Sequence, residues 1–573
     1  MTLGALKEDA RAISHCPVNF PNPVPSNQHQ AWRSRSVLFL CGFLIFLAAG
    51  LQLFGMEAKT VGLGFTLAKT GLGKGPSFLP SPEKENSDRT IQEPETPAQE
   101  KRHFLRATIE SAGIYLYHAI RYWSLYSTFI EDWQFHLTWE DQKKRLFLWE
   151  FDSNPFKPNW THAFAGVVYY NAARTNNLSF LESVLFGVAE SMCWEYIAEW
   201  REVVSINDQI FSIFGAISCG EPWYQLGKYF NETPGIVNYL IGFLNPYFKL
   251  HQLLDGKKAR RLPSKTASVS PAMDLFLGLR SLRSGQTSWG SEIFTWRYQG
   301  EIITLPEYGR PGETSLAVGK TMSSLMNVDM TLTDKGSEEV SYYSRAVLFG
   351  YYEKNVTSER RGHEFYLGLG TAFTLFRKKP VAWYDYSTAI KVKRTDIHLE
   401  EPRNFTDKFA VIHTLGPVFD YVSLSPNIRW RLVLEAYPDF GLINSYALNE
   451  YSIGRDISGI KTTMMYYGYY FGFGGTFSAD GSVDFHRFYA RGRVRYQLYG
   501  SIDGADRFQD ELKDDFHVKD SRLQYSLSLG YRLGRTPLRI EGTLEKIDRR
   551  GKIKNIDHRQ SETRLFVGLN FIL

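Results

Sequence analysis

Glu195 and Glu199 stand one helical turn apart, with His162 and Arg174 upstream and Asp208 and Glu221 downstream. Together they offer an acid, a base and an anion-holding cation, enough to hydrolyse or transfer a lipid headgroup near a membrane surface. Glu195 and Glu199 at i and i+4, facing His162 on a neighbouring helix, also match a metal-ligand arrangement. Against catalysis, the chain contains no HExxH, no G-x-S-x-G and no glycine-rich phosphate loop in context. A buried glutamate on a helix more often satisfies an arginine or backbone donors, so Arg174 paired with Glu195 or Glu199 is the plainer expectation. No metal and no cofactor is assigned, and an enzyme acting on lipid stands second to a structural or transport role.

A second set of charges is basic. In Arg487–Tyr499 (RFYARGRVRYQLY), Arg487, Arg491, Arg493 and Arg495 share one strand face, opposite Phe488, Val494, Tyr496 and Leu498. Arg429 and Arg431 add another basic step, alternating with Ile428, Trp430 and Leu432. Like charges confined together call for anions. Internal partners are Glu435, Glu541 and Glu545, or Glu190, Glu195, Glu199, Asp208 and Glu221 of the helices. An external partner would be a phosphate, lipid headgroup or acidic sugar, for which arginine forks are suited. The internal pairing is preferred, and it predicts acidic helices that plug or cap a basic lumen.

These residues need elements to hold them. The 573 residues are 43% hydrophobic, 15% aromatic and 22% charged, with net charge +5. Disorder is excluded, mean hydropathy of −0.28 excludes a multi-span helical membrane protein, and nothing suggests nucleic acid as a partner. High aromatic and glycine content suits strands between lipid and water. Four cysteines are too few for a disulfide scaffold; Cys193 and Cys219 either pair or stay as buried thiols.

A helical domain is expected over 103–260. Its apolar stretches are Thr161–Arg174, Leu178–Arg201, Ile206–Phe230 and Gly235–Leu254, with Pro246 ending or kinking the last. Ser205 fits an N-cap, and Asn176–Asn177 a turn. Gly187, Ser191, Glu195 and Glu199 recur every four residues as a polar seam on an oily helix. Such helices are too apolar for water and too acidic for lipid, so they must pack on another body.

His162, Ala173-Arg174-Thr175-Asn176, Ser191, Trp194-Glu195-Tyr196, Glu199, Ser205, Asp208 and Gly220-Glu221 fall in order within a short span. The pattern resembles a bacterial family known as domain of unknown function 3943, and the resemblance implies an outer-membrane protein without an assigned activity. Ala163, Asn177 and Val204 replace the family's Pro, Gly and Pro, which relaxes turns and removes no ionisable group.

Over 265–573 the period becomes two. Leu523, Tyr525, Leu527, Leu529, Tyr531 and Leu533 alternate with Gln524, Ser526, Ser528, Gly530 and Arg532. The last strand runs to Leu573, as in the assembly signal of bacterial outer-membrane barrels. The fold class is therefore α+β, an antiparallel transmembrane β-barrel of about 12 strands preceded by the helices. Thirteen alternating segments can be marked, including one near 384–399; an even number is expected, so one should be a loop or plug strand, and 289–304, with the poorest alternation, is the first suspect. Upstream, Arg33 and Arg35 before the uncharged run Ser36–Met56 read as a signal peptide within a leader of 1–58. Residues 59–102 read as a disordered linker. The expected location is the bacterial outer membrane, with outer-membrane lipid and the barrel-assembly machinery as partners.

Overall fold

The computed structural model describes residues 101–126, 134–151, 156–255, 269–284, 293–333, 336–378, 407–447, 469–502 and 517–573. The leader, the linker up to residue 100 and the segment near 384–399 lie outside the described residues.

The helices are α1 (Phe104–Arg121), α2 (Trp139–Arg145), α3 (Phe156–Thr175), α4 (Phe180–Cys193), α5 (Ile206–Ser218), α6 (Gly220–Glu232), α7 (Ile236–Ile241) and α8 (Pro246–Leu254). Local chemistry sets their ends. Asn177 adopts φ +61 after α3, a left-handed conformation that asparagine tolerates. Ser179 and Glu182 form a reciprocal capping box on α4. Ser205 accepts the Asp208 N–H at the start of α5, as its type predicts. Pro246 begins α8 at its first turn, where proline lacks nothing the helix needs. The stretch expected as Ile206–Phe230 is two helices, α5 and α6, parting at Cys219–Gly220. None of the described helices is long and apolar enough to cross a membrane.

The strands are β1 (Ser270–Ser284), β2 (Ile293–Ile303), β3 (Gly312–Val318), β4 (Ser323–Thr333), β5 (Gly336–Val356), β6 (Gly362–Lys378), β7 (Asp407–Leu424), β8 (Ile428–Ile443), β9 (Tyr470–Phe485), β10 (Phe488–Ser501), β11 (Val518–Arg532), β12 (Leu538–Ile553) and β13 (Ile556–Ile572). Twelve of them, all but β3, close an antiparallel ring, with β13 pairing to β1 and β5 to β6. β3 pairs only with the lower end of β5, Gly350–Val356. The doubtful segment 289–304 is thus a wall strand, β2. Its alternation is blurred because the outward position 300 is glycine. A Cβ there would lie 2.4 Å from Tyr298 Oη and 3.1 Å from Leu226 of α6.

Registers separate the two faces of the wall. Gln299 and Glu301 of β2 reach Arg491 of β10 and Arg431 of β8 on the far side of the ring, and such contacts cross only the lumen. The other face carries Leu434, Phe473, Phe477, Val494, Leu527 and Val567, all well exposed. Phe440 is registered directly opposite Phe473, hence on that same outer face, yet it is 1% exposed against 56% for Phe473. What covers Phe440 is helix.

The helices therefore lie on the outside of the barrel. Phe211 of α5 packs its ring 6.3 Å from Phe373 and 6.0 Å from Phe440. Phe164 of α3 meets Tyr342 at 5.5 Å, and Trp223 of α6 donates its indole N–H to Tyr342 Oη at 2.9 Å. Tyr342, Phe373 and Phe440 are linked by direct cross-strand pairing to outward residues throughout. The expectation of an acidic plug inside the lumen is corrected accordingly. Its premise was that the polar seam of α4 would seek the basic lumen; in fact the seam faces α5, and the oily surfaces of α3, α5 and α6 face the wall. Gly166 and Gly215 make the α3–α5 approach close. A Cβ on Gly166 would stand 2.1 Å from Ser212 O, and one on Gly215 would stand 2.4 Å from Ala163 Cα.

Candidate functional site

The motif residues divide into two centres. In the first, Arg174, on the last turn of α3, grips Glu221, on the first turn of α6, through both carboxylate oxygens: Nε–Oε2 3.0 Å and Nη2–Oε1 3.1 Å. Tyr170 donates to Glu221 Oε2, while Gln225 and Thr321 donate to Oε1 at 2.7 and 2.9 Å. Arg174 also stacks 4.5 Å from the Tyr224 ring. Burial pushes the Glu221 carboxyl up, but the guanidinium and these donors outweigh it and hold it at about 2. Thr321 precedes β4, so the pair ties two helices to the wall. The expected partners of Arg174, Glu195 and Glu199, are replaced by Glu221.

The second centre gathers at the N-terminus of α5. His162 Nε2 lies 3.4 Å from Asp208 Oδ2. Asn207 donates to Asp208 Oδ1 at 2.9 Å and to Asn159 Oδ1 at 2.8 Å, and Asn159 donates to Tyr469 Oη at 2.6 Å, again reaching the wall. Glu195 accepts the Ser205 N–H at 2.9 Å, and Trp194 donates to Glu199 Oε1 at 2.8 Å. Burial, followed by the charges of Glu202, Glu195 and Asp208, raises the Glu199 carboxyl well above its ordinary value. Burial pushes the His162 imidazole down to about 4. Arg145, missed from the sequence, spans this centre by donating to the carbonyls of Glu195, Glu199 and Glu202. The seam residue Ser191 accepts from Gln209 of α5 through its carbonyl, at 3.2 Å. Among the described residues, no group of three or more His, Cys, Asp or Glu is arranged to hold a metal ion.

The arginine stripe lies where its alternation places it, but its partners are not the helices. Arg431 Nη1 sits 2.6 Å from Glu301 and its Nη2 2.5 Å from Asp420. Arg491 and Arg493 share Asp480 at 2.6 and 2.9 Å, and Arg491 reaches Gln299 at 2.9 Å. Arg495 stacks 4.4 Å from the Tyr343 ring. Arg487 stands in the β9–β10 turn and, like Arg429 at the start of β8, is exposed. Of the expected acids, Glu435 pairs with Arg345 and also lies in the field of Arg495 of the stripe, while Glu541 pairs with Arg539 at 2.8 Å and Glu545 with Arg564 at 3.2 Å. Asp480 was legible as the direct cross-strand neighbour of Arg493; Glu301 was lost with the discounted segment.

Higher in the lumen, His413 bridges Asp439 at 2.6 Å and Thr374 at 2.7 Å. All three are buried, so this constellation joins β6, β7 and β8 and is closed to substrate. Lys378 reaches Glu562 at 2.6 Å, and Arg564 reaches Glu339 at 2.7 Å. The gap among Asp407, Arg522, Arg549, Glu562 and Arg564 is about 10 Å³, room for roughly one water. Cys193 and Cys219 are free thiols, and Ser344 of the wall donates to Cys219 Sγ at 3.2 Å.

A family model described as a domain of unknown function, DUF3943, matches residues 148–246. No curated protein matches. Among solved structures, the chain is similar to the Pseudomonas putida toluene transporter TodX, at 8% identity and TM-score 0.22, covering 55% of this chain and 90% of that one. A trimeric form of OmpT, an outer membrane protein of Vibrio cholerae, matches at 8% identity and TM-score 0.22, covering 53% and 100%. A Pseudomonas aeruginosa FadL homologue matches at 9% and 0.21, covering 53% and 89%.

Proposed function

We propose that this chain is a non-conducting barrel of the bacterial outer membrane, with a structural role in the envelope exercised from its outer, helix-bearing flank. One observation carries the reading: charged and polar side chains from opposite walls meet in mid-lumen, as Arg431 does with Glu301 and Lys378 with Glu562. A continuous outer band of apolar side chains supports lipid as the surrounding partner. A liposome-swelling assay with small sugars tests the reading: the full-length protein should give no swelling above lipid alone, and rapid swelling would refute it.

A second reading, a lipid-modifying enzyme, is favoured by the gathering of His162, Asp208, Glu195 and Glu199 around the N-terminus of α5, the acid and base types such chemistry needs. Glu195→Gln separates the two roles. Lost barrel assembly marks Glu195 as structural, whereas altered membrane lipid with intact assembly marks it as chemical.

A further inference from the structure

The polarity of α1 and α4 runs opposite to that of a helix facing water. Along α4 and the helical turn Trp194–Ala198 that continues it, the buried positions are Ser183, Gly187, Ser191 and Glu195, the last at 1% exposure, while the outward ones are Leu181, Leu185, Ala189 and Ile197. Along α1, Ala107 and Ser111 face inward, and Phe104, Leu105, Ile109, Leu116, Tyr117 and Ile120 face outward, Leu105 being 72% exposed. Arg106 and Glu110 of α1 are turned away from that surface: Arg106 meets Asp255 at 3.0 Å and Glu110 meets His251 at 2.7 Å. Exposed Lys101 and Arg102 before the helix and Arg121 at its end leave a face without charge between basic ends. Leu253 and Leu254 of α8 are also outward.

The Arg102–Glu182 ion pair lies at the start of α4, and the apolar surface beyond it is not left to water. We infer that the outward face of α1 and α4 contacts the acyl chains of the bilayer, so that the helical layer is embedded in the membrane beside the barrel. The inference rests on the outer-membrane reading above and deepens it by naming the ligand of the helical surface. Continuity decides the occupant. The layer seats on Phe440, the direct cross-strand partner of lipid-side Phe473, so it shares the level of the apolar band. Within hydrocarbon, helices associate through small residues and internal polar contacts, which is what Gly166, Gly187, Gly215 and the Arg174–Glu221 pair provide. Intramembrane carboxylates turn inward and pair, as Glu110, Glu195 and Glu221 do.

The test places the photo-reactive residue benzoylphenylalanine at Ile109, at Leu185 or at Leu527 of β11 in the full-length protein, reconstituted in phosphatidylethanolamine–phosphatidylglycerol vesicles. Phospholipid adducts, read by mass, are expected at all three positions, at Ile109 and Leu185 to within about threefold of Leu527. Lipid at Leu527 with none at Ile109 and Leu185 overturns the inference and leaves the barrel in place. Adducts at Ile109 and Leu185 that are instead cross-linked dimers overturn it in favour of a second copy. Absence of lipid at Leu527 overturns the outer-membrane reading itself.

Discussion

Arg431 on β8 and Glu301 on β2 meet across the lumen, Nη1 to Oε2 at 2.6 Å and Nη2 to Oε1 at 2.8 Å. Asp420 completes the guanidinium's partners, and Arg345 contacts the same Glu301 at 3.1 Å. Truncating one member leaves the others charged and enclosed. Arg431→Ala should therefore cost about 3–5 kcal/mol, seen as a lower urea midpoint for loss of the compact, heat-modifiable form in gels. The triple variant Arg431→Met with Glu301→Gln and Asp420→Asn, which leaves no carboxylate of the group without its guanidinium, should recover much of that loss.

Arg174→Ala strands the Glu221 carboxylate between α3, α6 and the wall. A loss of about 3–5 kcal/mol is expected, read as protease sensitivity of 103–255 while the barrel stays heat-modifiable. Glu221 titrates below its ordinary range when folded. Its contribution is thus present above the unfolded value near 4.3 and disappears as pH falls through about 2.

His162 supplies a pH effect in another window. Its imidazole, lowered to about 4 by burial, binds fewer protons folded than unfolded between there and about 6.5. The histidine's own share of the stability therefore rises with pH across that window, while Glu199, raised by burial, contributes with the opposite sign. Urea midpoints of the parent and His162→Gln isolate that share: between pH 4.5 and 7 the parent should gain stability relative to the variant.

Gly166→Ala and Gly215→Ala put a methyl where α3 and α5 touch. Each should push the helices apart at a cost of about 1–3 kcal/mol or more. Limited proteolysis should release the helical layer earlier than in the parent, with the barrel's mobility in gels unchanged.

Much of the wall is legible in the sequence because a strand's period of two exposes its lipid and lumen sides directly, as in Leu523–Leu533. The family residues were found by their order alone, yet their pairings were not. Arg174 selects Glu221 over Glu195, since α3 and α6 meet near Thr321 while Glu195 is occupied by the Ser205 N–H. The seam on α4 was visible; its direction was not. Period identifies a helical face but not the neighbour it meets, and a polar seam suits a helix partner as well as a charged lumen. β2 was doubted for its poor alternation, and the outward Gly300 that breaks its oily face is explained by Tyr298 and Leu226, which crowd that position.

Electrical recording from single full-length molecules in a planar lipid bilayer addresses the closed lumen most directly. Side chains meeting from opposite walls predict a flat trace at moderate voltage after insertion is verified. Steady, ohmic steps of porin size from the unmutated protein would contradict it.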